Sequence, residues 1–231
     1  MRIALSPTFL AGSRSGRPGA TRRPLQPRRA EPGLIPGMSD QALTLRHAVF
    51  PRSGLLTDAL LVLGGAAFVG LAAQVSFRLG FTPVPITGQT FAVLLVGAAY
   101  GPVLGAASLA AYLLLGVAGV PLYADHRHGW DVFSGATGGY IVGFVLAAAL
   151  TGYLAERGWD KRFATSVTMM LTGSVVIYAC GAAWLHHWLH ASWNTTLVDG
   201  VYPFVPVDLV KLYLAAAALP AAWGLVRRIR G

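Results

Sequence analysis

One cysteine, Cys180, stands in 231 residues, which excludes an intrachain disulfide and a cysteine-based zinc cluster. Charge is scarce as well. Asp, Glu, Lys and Arg make up 12% of the chain against 55% hydrophobic residues, whereas soluble globular domains carry about 25% charged residues. Too few charges are present to clothe a water-soluble surface of this size, so the composition indicates a membrane protein. Catalytic signatures are missing too. No HExxH, no GxSxG and no Walker A sequence occurs, so nothing supports a zinc protease or a serine hydrolase, and any ATP dependence has to come from another chain. The enzyme reading is therefore set aside.

Acidic residues are only 9, against 18 Lys plus Arg. A basic excess ordinarily suggests nucleic acid, but its distribution argues otherwise. Residues 1–50 hold eight Arg against Glu31 and Asp40, a net +6 of the formal +9. The rest lie mostly just outside apolar runs, with no basic stripe interleaved with aromatics, so no nucleic-acid partner is expected. The first fifty residues are rich in Arg, Pro, Gly and Ser, and have no sustained period. They are expected to form a disordered tail, with Met38 as an alternative translation start. Residues 51–231 are the expected folded unit.

What is abundant is apolar sequence in long runs. Six candidate spans cover residues 59–77, 86–100, 103–120, 138–155, 166–188 and 207–226. A helix needs about 20 mostly apolar residues to cross the hydrocarbon core, and fewer where neighbours bury it. The runs suit helices rather than barrel strands, so the expected fold is an all-α integral membrane bundle. The second run begins after Pro83 and Pro85, where part of the backbone is expected to be irregular. If the N-terminus is cytoplasmic, Arg46, Arg52, Arg157, Lys161, Arg162, Arg227, Arg228 and Arg230 lie inside, and only Arg78 and Arg127 lie outside. That bias places both termini in the cytoplasm.

Polar residues at membrane depth are costly and point to function. They concentrate at Thr82–Thr90, at Gly135–Tyr140 and at Tyr202–Lys211, all in the outer half under this orientation. Thr87, Gln89 and Thr137 offer neutral donors and acceptors suited to an amide or ureido group. Backbone N–H groups around Gly138 and Gly139, at a helix start, suit an anion. Asp208 and Lys211, three apart, share a helix face. Lys211 is placed to attract a carboxylate, with Asp208 pairing with it or accepting from a ligand N–H; a private pair that locks the helix is the plainer alternative. Tyr112, Tyr140, Tyr178, Trp184 and Trp188 are candidates for an apolar lining. His186, His187 and His190, with His126 and His128, are a weaker metal candidate and are read as interfacial histidines; no metal site is expected. Small residues from Gly64 to Ala73 suit either internal packing or a close-docking partner.

The run Val84-Pro85-Ile86-Thr87-Gly88-Gln89-Thr90 resembles the VPIT-x-QT signature of the biotin-specific S components of energy-coupling-factor (ECF) transporters, the BioY family. Gly101-Pro102-Val103-Leu104-Gly105, Tyr112 to Gly116 and Gly119-Val120-Pro121 are similar to its GPxLG, YLLLG and GxP. Gly135 to Tyr140 resembles GPTGGY, and Asp208 to Lys211 resembles DxxK. The resemblance, over roughly residues 55–225, implies a six-helix S component that captures biotin from outside. It implies a ligand site at Thr87, Gln89, Tyr112, Thr137, Gly138, Gly139, Tyr140, Asp208 and Lys211. It further implies docking through Gly65, Ala66, Ala67 and Gly70 to a transmembrane coupling protein served by two ATPase subunits, in the bacterial cytoplasmic membrane. No cofactor beyond the transported biotin is implied. The alternatives are an S component for another vitamin and a self-sufficient secondary transporter. Gly88 and Ala136 depart from the resembled motifs, and Asp125 to Asp131 form a more charged loop than the Gly-rich one expected.

Overall fold

A computed structural model describes residues 44–50 and 54–230. Of the expected tail, residues 1–43, with the start at Met38, fall outside the described residues; Leu45–Val49 form a short helix with Ala48 buried, which corrects the expectation of disorder at that end. In chain order the helices are α1 (Leu45–Val49), α2 (Leu55–Gln74), α3 (Gln89–Tyr100), α4 (Pro102–Val117), α5 (Trp130–Phe133), α6 (Gly138–Glu156), α7 (Phe163–Leu189), α8 (Trp193–Gly200) and α9 (Val205–Arg230). Between α2 and α3 runs an antiparallel pair of two-residue strands, β1 (Ser76–Phe77) and β2 (Ile86–Thr87), with Ser76 opposite Thr87 and Phe77 opposite Ile86. This pair corrects the all-helical expectation. Pro85 supplies no backbone donor and favours extended backbone before it, so α3 starts at Gln89 rather than near Ile86. The short helices α5 and α8 were also absent from the sequence reading.

Among the described residues, four helices are long and apolar enough to cross a membrane: Leu55–Gln74, Gly138–Glu156, Phe163–Leu189 and the stretch Val205–Ile229. The apolar helices α3 and α4 have 12 and 16 residues, or roughly 18 and 24 Å at 1.5 Å per residue. Gly101 separates them with φ 86°, a left-handed conformation that glycine adopts without the strain a Cβ brings. Pro102 then opens α4 at a position where no helical donor is needed.

The central helix is α6, which packs against α3, α4 and α7. Its span is 61% buried against 22% for α2 and for α9, so α2 and α9 present most of their apolar surface outward. Close approach depends on small residues. A Cβ at Gly97 would lie 2.3 Å from Thr151 Oγ1, and one at Gly143 would lie 3.1 Å from Ile177 Cα. Backbones this near gain dispersion contacts that lipid does not supply.

The docking residues named above divide on α2. Gly65, Ala66 and Gly70 are buried, while Ala67 is exposed. A Cβ at Gly65 would sit 2.6 Å from Ser108 Oγ, and one at Gly70 would sit 2.8 Å from Leu122 Cδ2. Those three positions therefore pack against their own chain, which corrects their assignment to a partner face. The exposed stripe is Leu60, Leu63, Gly64, Ala67 and Leu71.

At the opposite end of the fold from the β pair, Asp160 is fully buried in the turn between α6 and α7. Its Oδ2 accepts from Trp223 Nε1 of α9 at 2.5 Å, and its Oδ1 has no hydrogen-bond partner among the described residues. Burial raises its pKa from the ordinary carboxylate value, against the indole hydrogen bond, which lowers it. For a raised pKa, the stabilising contribution is full below the unfolded-state value and is lost as pH rises through the folded-state value. Melting temperature should therefore fall as pH climbs from the acidic carboxylate range. Asp160→Asn, which keeps the acceptor but carries no titrating proton, should flatten that slope; an unchanged slope in the variant would assign the pH dependence elsewhere.

Candidate ligand-binding site

The three polar clusters meet at one end of the bundle, where α3, α6 and α9 begin. They surround a cavity open at one end, with about 710 Å³ of empty space including that opening. Thr87, Gln89, Tyr112, Thr137, Tyr140, Asp208 and Lys211 all line it.

Local backbone places the first cluster. Gly88 N–H donates to Val75 O at 2.9 Å, which seats the end of β2 against the end of α2. A Cβ at Gly88 would lie 2.7 Å from Ala72 O, so a bulkier residue has no room at this position. Gln89, 8% exposed, then opens α3. Thr87 Oγ1 donates to Gln89 Oε1 at 2.8 Å, and Gln89 Nε2 donates to the Tyr112 hydroxyl at 2.6 Å. This chain of bonds holds the carboxamide in one orientation.

The second group centres on Asp208, in the first turn of α9. Its Oδ1 accepts from Thr90 Oγ1 at 3.1 Å and from Lys211 Nζ at 2.6 Å; its Oδ2 accepts from Tyr178 OH at 2.6 Å. Lys211 Nζ also donates to Thr87 O at 2.5 Å. The two side chains are only 9% and 17% exposed, so each charge depends on the other. An ammonium has three donors and a carboxylate about four acceptor sites. One Lys211 N–H and one lone pair on Asp208 Oδ2 therefore remain on a pair with no net charge.

Tyr140 and Tyr123 line the cavity while their hydroxyls donate to Gly200 O at 2.6 Å and Leu113 O at 2.8 Å. Val84, Ile141, Phe144, Ile177 and Phe204 complete an apolar wall. Tyr178 lines the cavity as the sequence suggested, whereas Trp184 and Trp188 do not. Trp184 donates from Nε1 to Gly135 O at 2.9 Å, and Trp188 is 44% exposed.

Gly138 and Gly139 are not among the lining residues. A Cβ at Gly139 would lie 2.1 Å from Trp184 Cβ, and one at Gly138 would lie 1.9 Å from Phe133 O. The Gly138 N–H donates to Gly135 O at 3.3 Å. These glycines admit α7 rather than an anion, because the helix start they form is covered by an indole. Among the histidines, His186 stacks on Trp193 with ring centroids 4.0 Å apart. Sequence reasoning did not assign Arg78, Tyr123 and Arg127 to the site, yet all three line the cavity. The charged loop from Asp125 to Asp131 was the one signal that pointed to this end.

The chain is similar to known proteins in sequence and in fold. The chain is 39% identical over 150 residues to the biotin transporter BioY of Thermotoga maritima, spanning 65% of this chain and 86% of that one. It is 34% identical over 164 residues to the biotin transporter BioY of Rhizobium etli, spanning 68% and 87%. The fold matches the S-component for biotin from an ECF-type ABC transporter, known from a crystal structure at 2.1 Å. The TM-score is 0.65 and the sequence identity 25%, over 76% of this chain and 91% of that chain. The sequence model of the BioY family matches residues 40–228, and the chain belongs to that family.

Proposed function

We infer that this chain is the membrane-embedded substrate-capture (S) component of a biotin uptake system. The observation that carries the reading is the donor–acceptor edge left open by Lys211 and Asp208, beside the carboxamide of Gln89. A cyclic urea offers an N–H and a C=O on adjacent atoms and carries no charge, which suits a neutral ion pair with one spare donor and one spare acceptor. The apolar wall of Val84, Ile141, Phe144 and Ile177 suits a fused thioether ring and alkyl chain. The names of the relatives point the same way.

Six helices cross the membrane in this reading, α3 and α4 as short spans packed against longer ones, and both termini are cytoplasmic. Eight basic residues against two support that orientation, and the cavity then opens outward. Energy comes from a transmembrane coupling protein and two ATPases, because this chain has no nucleotide-binding signature; ATP is used by those partners alone. The membrane is the cytoplasmic membrane of a bacterium.

Purified protein should bind biotin without ATP or partner chains. Ligand at about 100 times its dissociation constant stabilises a folded state by roughly 2.7 kcal/mol, an easily measured rise in melting temperature. A melting curve unmoved by saturating biotin, in detergent that preserves the fold, would count against the reading. A curve moved instead by another vitamin would reassign the substrate.

A further inference from the structure

Two arginines from different connections line the open end of the cavity, Arg78 just after β1 and Arg127 in the segment between α4 and α5. They are held differently. The Arg127 guanidinium makes no hydrogen bond among the described residues. Arg78 donates from Nε to Asp125 Oδ2 at 2.5 Å, and its Nη2 meets the same oxygen. Asp125 Oδ1 accepts from the Ser76 hydroxyl, and Asp125 itself is not among the lining residues. The aspartate thus grips the Nε–Nη2 edge of the guanidinium from outside the cavity. A guanidinium is planar with five N–H donors, so fixing one edge sets the direction of the Nη1 end, which keeps its donors.

The loop is shaped around this grip. Asp125 and His126 have φ of 59° and 57°, a conformation that penalises residues with a Cβ and is retained where the surroundings impose it. Gln74, at the end of α2, imposes it. Its Oε1 accepts from His126 N at 2.9 Å, and its Nε2 donates to Gly70 O at 2.9 Å and Tyr123 O at 3.2 Å. A glycine would satisfy the backbone more cheaply but would leave Arg78 ungripped.

The geometry points to Arg78 as a specificity residue for anionic ligands, with Asp125 as its positioning residue. A ligand enters with its neutral head toward Asp208 and Lys211, and its carboxylate lodges at the mouth between the free end of Arg78 and Arg127. This inference rests on the proposed function and names the chemistry of the outer end of that same site: a carboxylate tail, read by two arginines.

The test compares biotin with its uncharged methyl ester by calorimetry on the purified full chain. Wild type should prefer the acid by about tenfold, a charge-assisted contact discounted for a half-exposed rim. Arg78→Gln should weaken acid binding by about fivefold and leave the ester within about twofold. Arg78→Lys keeps the charge without the fork and should resemble Gln more than Arg. Asp125→Ala makes the rim more positive. If charge alone governed, the acid preference would rise, whereas loss of positioning makes it fall, and a fall is the expected result. Should that variant not fold, Asp125→Asn reads the same ratio. An undiminished preference in Arg78→Gln, a rise in Asp125→Ala, or loss of the preference in Lys211→Ala alone would overturn the inference. Equal wild-type affinity for acid and ester would overturn it while leaving biotin binding intact. Failure of wild type to bind either ligand would remove the functional reading and this inference together.

Discussion

Lys211→Ala should weaken biotin binding by well over tenfold, for the acid and for its ester alike, and should lower the melting temperature. The ammonium is one partner of a carboxylate that is only 9% exposed. Removing it leaves Asp208 with the hydroxyls of Thr90 and Tyr178, two neutral donors in place of a cation, and releases the carbonyl of Thr87 from its bond. Truncating one member of a buried charge pair typically costs about 2–5 kcal/mol, largely because the other member is left behind. The same change removes the spare N–H offered to the ligand, so affinity and stability fall together. Calorimetry with both ligands, alongside melting curves, checks this. Loss of acid binding alone would place the carboxylate at Lys211, as the sequence first suggested, and would reverse the ligand in its cavity. A fall in melting temperature with affinity unchanged would leave Asp208 and Lys211 as a private structural pair.

Ala67→Phe should reduce cellular biotin uptake to near background while leaving the dissociation constant of purified protein within about twofold. Ala67 is exposed on α2, and Gly64 beside it has nothing within 4 Å of where a Cβ would stand. Around them Leu60, Leu63 and Leu71 are 62%, 53% and 71% exposed. A small-residue notch flanked by leucines lets a second helix approach closely, and a phenyl ring there holds it away. The control is Gly70→Phe. A Cβ at Gly70 already meets Leu122 Cδ2 at 2.8 Å, so the ring must displace the segment before Tyr123, and both binding and uptake should be lost. Normal uptake by Ala67→Phe would show that this face meets lipid only. Parallel loss of binding and uptake in both variants would assign the whole stripe to internal packing.

Much of the architecture could be read locally. Apolar runs long enough to span a bilayer become helices because backbone groups in lipid have to be bonded within the segment, and the run 138–155 emerged as Gly138–Glu156 almost unchanged. The run from Ile86 did not, because β2 takes its first two residues after Pro85 and the helix starts at Gln89. The polar clusters at Thr82–Thr90, Gly135–Tyr140 and Tyr202–Lys211 stood out by being polar beside apolar runs. The turns between spans then required them to share one end, so Thr87, Gln89, Tyr112, Thr137, Tyr140, Tyr178, Asp208 and Lys211 could be named from the sequence.

Sequence alone thus determined the membrane class, the helical runs, the family resemblance and the end of the bundle where the site lies. These follow from composition and short-range pattern, which each segment carries within itself. The tertiary structure decided which face of each segment does what. On α2 it turned Gly65, Ala66 and Gly70 inward and left Ala67 outside; it gave Gly138 and Gly139 to α7; and it brought Arg78, Asp125 and Arg127 together at the mouth. Glycine has the same identity whether it admits a partner, a ligand or its own neighbouring helix. Only the atoms opposite it distinguish these roles, and they come from residues far along the chain: Trp184 against Gly139 and Leu122 against Gly70.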